Sequence, residues 1–242
     1  MFTGIVEEMG RVISLTRSSS ISLWDGSLGE GWVLVISASV VLGGAYEGCS
    51  IAVNGTCLTV TSFDATSFTV GCAPETMRRT NLLDLTASSP VNLERAAAGD
   101  ARNSGHAVQG HVDDTGAILA TWREGDSLWV RVGARPDVLR YIVPKGYIAV
   151  DGTSLTVCDV DVAGGSFTFM LVAYTQSRVI IAGKAVGDRV NLEVDVVGKL
   201  VERSASGLLA AVTRVEERLE SALASLGARL DKIEARLESA RL

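Results

Sequence analysis

The sequence contains one unit twice. Residues Ile51-Ala-Val-Asn-Gly-Thr-Cys-Leu-Thr-Val60 return as Ile148-Ala-Val-Asp-Gly-Thr-Ser-Leu-Thr-Val157, identical at eight of ten positions at a spacing of 97. Val91-Asn-Leu-Glu94 returns as Val190-Asn-Leu-Glu193 at a spacing of 99. Gly4-Ile-Val-Glu-Glu8 with Gly10 lines up with Gly110-His-Val-Asp-Asp114 with Gly116 at a spacing of 106. Self-similarity at a nearly constant period reads as two copies of one folding unit. The fall in spacing from 106 to 97 gives the first copy about nine extra residues, assigned to the polar loop Arg17 to Gly31. Copy one is expected over residues 1–97 and copy two over 106–198, joined by the Ala/Gly/Asp/Asn-rich linker Ala98 to Gly105.

Within each copy the hydrophobic period is two. Val12-Ile-Ser-Leu15, Trp32-Val-Leu-Val-Ile-Ser37, Ile51-Ala-Val53, Cys57-Leu-Thr-Val-Thr61, Phe68-Thr-Val70 and Val91-Asn-Leu93 are short, β-branched segments bounded by Gly, Asn, Asp and Ser. Asn54-Gly55 and Asp151-Gly152 mark tight hairpins at the same place in both copies, because a primed two-residue turn needs residues that tolerate positive φ. No segment here is long enough for a helical crossover, so the sheet is antiparallel, and closing it as a barrel hides its edges. The fold class predicted is all-β, two small related barrels.

The end of the chain changes character. From Ser206 to Leu242 there is no Pro and only Gly207 and Gly227. Apolar residues Leu208, Val212, Val215, Leu219, Ala222, Leu226, Leu230, Ile233, Leu237 and Ala240 follow a heptad stripe with one extra residue between Leu226 and Leu230, a stutter. A stripe running beyond about 30 residues, over about 45 Å at 1.5 Å per residue, outreaches a small barrel and points to self-association. Residues 200–242 are assigned as an oligomerisation helix.

Composition removes several functions. Twenty-two Lys and Arg against 28 Asp and Glu leave a net charge of -6, which argues against a nucleic-acid or anionic-membrane partner. The most apolar stretch, Trp32 to Leu42, falls short of the roughly 18 residues a membrane span requires. Met1-Phe-Thr-Gly-Ile-Val6 has no secretory character, so a cytoplasmic protein is expected. Cys49, Cys57, Cys72 and Cys158 have neither CxxC spacing nor clustered histidines beside them; free thiols are expected, and no metal site.

The copies are most informative where they differ. Cys57 is answered by Ser154 while Thr59 and Thr156 are kept, and Ile5 is answered by His111. Two pockets of similar backbone would thus present different proton-handling groups, as expected when two molecules of one ligand are bound alike and treated differently. A binding module or a structural tandem carries the same duplication. By themselves Cys57 and Ser154 also suit packing in apolar strands, Asp195 a strand end, Lys145 and Arg78-Arg79 charged turns, and His106 a structural role.

The segments Met1-Phe-Thr-Gly-Ile-Val6, the two IAV(N/D)GT(C/S)LTV hairpins, Glu75-Thr-Met-Arg-Arg-Thr-Asn-Leu82, Gly105-His-Ala-Val-Gln-Gly-His-Val-Asp113 and Val190-Asn-Leu-Glu-Val-Asp195 occur in that order. Together, over about residues 1–203, they resemble the riboflavin synthase family of lumazine-binding proteins. Tyr174-Thr-Gln-Ser177 is closest to its eukaryotic, fungal-like form. The resemblance implies two tandem six-stranded antiparallel Greek-key barrels plus a long C-terminal helix, in a homotrimer. It implies conversion of two 6,7-dimethyl-8-ribityllumazine molecules into riboflavin and 5-amino-6-(D-ribitylamino)uracil, without metal or redox cofactor. The site it implies lies between the N-terminal barrel of one subunit and the C-terminal barrel of a neighbour.

Carried over position by position, His111 matches the family's active-site histidine, Cys57 and Thr59 its first hairpin pair, Ser154 and Thr156 its second, and Asp195 an assisting acid. Ligand contacts are expected at Gly4, Ile5 and Val6, at Leu58 beside Cys57, and at Gly110, His111 and Val112. The first copy adds Gly71, Cys72, Ala73, Pro74, Glu75 and Thr76. The second adds Lys145, Leu155, Met170, Leu171, Val172, Ala173, Tyr174 and Thr175. Three positions depart from the family pattern: Ser104 before Gly105-His106, Tyr174 where a Glu is common, and Cys49. The substrate's 7-methyl group is acidic enough for a base working near neutral pH, which suits histidine. A thiol or hydroxyl at the pocket wall suits addition at C7. A non-catalytic lumazine or flavin carrier of the same fold is the alternative.

Overall fold

The computed structural model describes residues 1–22, 28–100 and 102–239, those at 22, 28, 208–210, 237 and 238 without their side chains. Leu208, Leu237 and Ala240 of the expected stripe, and the 23–27 part of the expected loop, therefore lie outside what is described.

The first copy runs β1 (Glu8–Ser22), β2 (Leu28–Ser37), β3 (Ser50–Val53), β4 (Thr56–Phe63), β5 (Ser67–Cys72), α1 (Pro74–Arg79) and β6 (Pro90–Arg95). Its strands close into a barrel in the order β1-β2-β5-β4-β3-β6. β2 pairs with β5 and β3 with β6, the non-sequential neighbours of a Greek key. Along β4, Thr56, Leu58 and Val60 are buried while Thr59 and Thr61 are exposed, the period of two that puts apolar residues inside. Most of the segment expected as a loop is strand: Arg17 pairs with Trp32, Ser18 with Gly31 and Ile21 with Gly29. The polar run Arg17 to Ser20 hides the strand pattern, although Ile21 beyond it is buried.

The second copy runs β7 (Asp114–Glu124), β8 (Ser127–Gly133), α2 (Pro136–Leu139), β9 (Tyr147–Val150), β10 (Thr153–Thr156), β11 (Asp159–Asp161), β12 (Ser166–Leu171), α3 (Ala173–Gln176) and β13 (Arg189–Val194). The sheet order β10-β9-β13-β7-β8-β12-β11 repeats the first copy, except that its fourth strand is divided into β10 and β11, making seven strands where six were expected. Val157 N–H donates to Gly146 O and Cys158 N–H to Thr168 O, so the two halves are tied to different neighbours. The first copy has a milder form of the same irregularity, a register shift between Val60 and Ser62. Each barrel has its own core, one around Leu34, Ile36, Phe68 and Leu93, the other around Val130, Phe167, Phe169 and Leu192.

The copies meet reciprocally. Asn54 and Gly55, and Asp151 and Gly152, all have positive φ, as the primed turns require. These turns abut so closely that a Cβ on Gly55 would lie 2.6 Å from Gly152 N, and the converse distance is also 2.6 Å. Asn92 Nδ2 donates to Asp151 O, and Asn191 Nδ2 donates to Asn54 O, both at 2.8 Å. Phe2 and Val108 form a bridge and are buried with Ala52 and Ala149. Contacts that exchange residue i with j and j with i are those of a two-fold.

A separate unit holds the helix α4 (Val196–Ser239), 44 residues long and about 66 Å at 1.5 Å per residue. It starts ten residues before the Ser206 from which the stripe was traced, directly after Asp195. Val212, Val215, Leu219, Leu226, Leu230 and Ile233 are exposed in the single chain, as is Leu223, which widens the stripe.

Candidate active site

Each hairpin strand receives a loop from the opposite copy. Ser154 N–H donates to Gly4 O at 2.7 Å, and Cys57 N–H donates to Gly110 O at 2.8 Å. Gly4 and Gly110 have φ of +75° and +81°, and a Cβ on either would lie 2.6 Å from the Cβ of Ser154 or Cys57. Only glycine fits a left-handed residue pressed against a strand. The expected residues therefore sort into two equivalent faces.

The first face joins Cys57 and Thr59 of β4, Gly71 on the adjoining β5, Ala73 to Thr76 at the start of α1, and the Gly110–Val112 loop. Burial pushes the Cys72 thiol up to about 12, so it acts as a core residue rather than a nucleophile. Leu58 is likewise buried, so Leu58 and Cys72 can meet a ligand only through backbone. Glu75 is exposed and carries Arg79 and Arg78 on its carboxylate, which hold its pKa down. His111 is exposed, and its backbone N–H is bound to Glu193.

The second face joins Ser154 and Thr156 of β10, Met170 on β12, Val172 to Thr175 at α3, and the Gly4–Val6 loop. Val6 packs against the core of the second barrel although it belongs to the first copy. Leu155 and Leu171 are buried in that core. A cavity of about 340 Å³ here is lined by Gly4, Ile5, Val6, Ser154, Tyr174, Thr175 and Arg178 among others. A larger cavity of about 640 Å³ lies on the first copy beside Tyr46, Cys49, Arg95 and Arg102, and of the expected residues it touches only Ile5. Tyr174 stands where the first copy has Glu75, and the Arg178 guanidinium lies 5.3 Å from its ring centroid. A cation–π contact thus replaces the first copy's ion pair. Lys145 occupies a left-handed conformation, φ +66°, where the first copy has Gly48 at +91°. A non-glycine residue held there carries strain of order 1 kcal/mol.

Two sets of residues were missed in the sequence. His106, read as structural, places Nδ1 2.7 Å from Ser154 Oγ and stacks on Tyr147 with ring centroids 5.1 Å apart. It is buried; burial lowers its pKa and the Asp195 charge partly restores it. The structure thus pairs Ser154 with His106, with Asp195 near enough for its charge to act on the ring, while His111 belongs to the other face. The second set is Glu94 and Glu193. Glu94 accepts Thr3 N–H at 2.6 Å, Thr3 Oγ1–H at 2.8 Å and Gly4 N–H at 3.0 Å. Glu193 accepts Gln109 N–H at 2.6 Å and the N–H groups of Gly110 and His111 at 2.9 Å each. Their signal was present in the duplicated Val-Asn-Leu-Glu segments, where a carboxylate stands next to last in its strand in both copies.

Comparison with known proteins agrees with this duplicated architecture. The model of the lumazine binding domain matches residues 3–96 and again 109–195. The riboflavin synthase of Schizosaccharomyces pombe is 48% identical over 204 residues, covering 84% of this chain and 93% of that protein. Those of Actinobacillus pleuropneumoniae and Saccharomyces cerevisiae are 43% and 44% identical, over 84% of this chain and 89% and 85% of theirs. Among solved structures, LumP complexed with riboflavin superposes with a TM-score of 0.70 at 18% identity, over 80% of this chain and 99% of that one. LumP complexed with flavin mononucleotide gives 0.67 at 19%, with the same coverage, so these two share the fold. With the domain matched twice and identities above 40% across most of its length, the chain belongs to the riboflavin synthase family.

Proposed function

We propose that the chain is a transferase that disproportionates two 6,7-dimethyl-8-ribityllumazine molecules into riboflavin and 5-amino-6-(D-ribitylamino)uracil, the last step of riboflavin biosynthesis. The observation that carries this is the pair of equivalent faces with unequal chemistry: Cys57 opposite Ser154, and Ile5 opposite His111. One substrate gives a four-carbon unit to the other, and the two products hold all the atoms of two substrates, so no outside oxidant or reductant is needed. His111 handles the proton of the acidic 7-methyl group on its face. On the other face Ser154 is oriented by His106, with Asp195 nearby. Cys57, Thr59 and Thr156 supply the remaining thiol and hydroxyls at the pocket walls. Holding two rings in contact converts an encounter of two molecules into a reaction within one complex, the largest share of the acceleration.

In this reading residues 1–97 and 106–198 are the two lumazine-binding barrels, and the site forms when the first face of one subunit meets the second face of another in a homotrimer. The exposed stripe of α4 supports assembly, since Leu230 and Ile233 occupy successive core positions, and Leu followed by Ile there favours more than two strands. The free thiols suit a cytoplasmic protein. The experiment is incubation of the purified chain with the lumazine alone while riboflavin fluorescence is followed. Sustained turnover is expected; one ligand bound per chain without turnover would instead make it a carrier.

A further inference from the structure

We propose that Glu94 and Glu193 are positioning residues, each holding one ligand loop in place for the opposite copy, Glu193 acting on the chemical step through His111 and Glu94 through the Ser154–His106 pair. The inference rests on the reading of His111 given above.

Both carboxylates are buried, at 6% and 4% exposure. Each is the hub of a relay across the copies. Glu94 fixes Thr3 and Gly4, and Gly4 O receives Ser154 N–H. Glu193 fixes Gln109, Gly110 and His111, and Gly110 O receives Cys57 N–H. Three donors converge on each carboxylate, and both of its oxygens accept; at Glu94 burial pushes the pKa up while the bonds from Thr3 and Gly4 pull it down. Charge-assisted bonds of this kind are about twice as strong as neutral ones, and their fork leaves the loop little freedom. Glutamine in either place keeps the shape but turns an NH₂ group toward N–H donors, so the loop must withdraw.

The relays are equal in construction and unequal in cargo. The loop on Glu193 ends at His111, whose own N–H is one of the three donors, so moving the loop moves the imidazole. The loop on Glu94 carries Ile5, which has no proton to exchange, but Thr3 O accepts His106 N–H at 3.1 Å and Gly4 O accepts Ser154 N–H at 2.7 Å, so moving it disturbs the His106–Ser154 pair through the backbone. A shift of about 1 Å in a reacting group costs about 10²-fold in rate.

The test is steady-state kinetics of Glu193→Gln and Glu94→Gln with the lumazine, each also combined with His111→Ala, with thermal unfolding of every variant. Glu193→Gln is expected to lower kcat about 10²-fold with KM within about threefold. Glu94→Gln is expected to lower kcat less, by about tenfold, because it reaches Ser154 and His106 only through backbone carbonyls. Unfolding temperatures should fall alike. In the His111→Ala background, Glu193→Gln should add much less than its own loss, keeping only the part that reaches Cys57 through Gly110 O, while Glu94→Gln keeps its full effect, because residues acting through one group are not additive. A full additional loss from Glu193→Gln on top of His111→Ala, or disappearance of the Glu94→Gln loss in that background, would overturn the proposal. If Glu193→Gln does not unfold cooperatively, Glu193→Asp, which keeps the charge, takes its place under the same criteria. A parent chain with no turnover, or a His111→Ala variant with parental kcat, would instead refute the reading on which the inference rests.

Discussion

His106 Nδ1 lies 2.7 Å from Ser154 Oγ, tying the segment between the two copies to the hairpin of the second. A part-buried hydroxyl–imidazole pair of this kind contributes about 1 kcal/mol, and removing one partner leaves the other short of a bond. Ser154→Ala is therefore expected to lower stability by about 1–2 kcal/mol in urea unfolding and to reduce kcat as well. Unchanged values of both would remove the pair from the account.

The same histidine gives a pH signature. Its pKa in the folded chain lies below the ordinary 6.5, because burial disfavours the charged ring more than Asp195 favours it. The neutral ring's contribution is thus full above about pH 6.5 and is lost as the pH falls through the folded value. The stability gap between the parent and His106→Gln should be constant from pH 7 to 8 and shrink on acidification below about 6.5. Parallel curves down to pH 5 would count against it.

Gly110 presses on Cys57, and its φ is +81°. Gly110→Ala should destabilise by about 2–4 kcal/mol through strain and overpacking. Gly99→Ala, where an added Cβ meets nothing within 4 Å, should stay within about 0.5 kcal/mol. Urea midpoints of the pair distinguish a packed crossing from a loose one.

The fold was largely legible because it is written in short-range signals repeated twice. Asn54-Gly55 and Asp151-Gly152 announce their turns, and the alternation of Thr56 to Thr61 announces its faces. What was not legible depends on residues far apart in the chain. Nothing local in Gly4 says that its carbonyl will meet Ser154, 150 residues on, or that Gly110 will meet Cys57. The division of β10 from β11 follows from bonds that Val157 and Cys158 make to different strands. His106 was passed over because its partners, Ser154, Tyr147 and Asp195, are brought to it only by the fold. Glu94 and Glu193 stood in plain view in the repeat, but a carboxylate at a strand end has no meaning until the loop it binds is known.

Cys57 packs beside Phe2, Ala52, Val108 and Ala149 and is only partly buried. Cys57→Ser should fold normally by circular dichroism and lower kcat by about 10²-fold if the thiol takes part in the reaction. Kinetics equal to the parent would assign Cys57 to packing.

Truncation after Ser206 removes Val212 to Ile233, the exposed stripe of α4. On the proposed trimer with sites shared between chains, light scattering should show a shift toward monomer, with loss of activity in proportion. A fully active monomer would contradict the shared site.

The pairing of two equivalent faces that treat one substrate in two ways is tested most directly by stoichiometry. Purified chain supplied with 6,7-dimethyl-8-ribityllumazine and nothing else should consume two molecules for each riboflavin and each 5-amino-6-(D-ribitylamino)uracil released. Any other ratio, a need for a second reactant, or binding without products would contradict it.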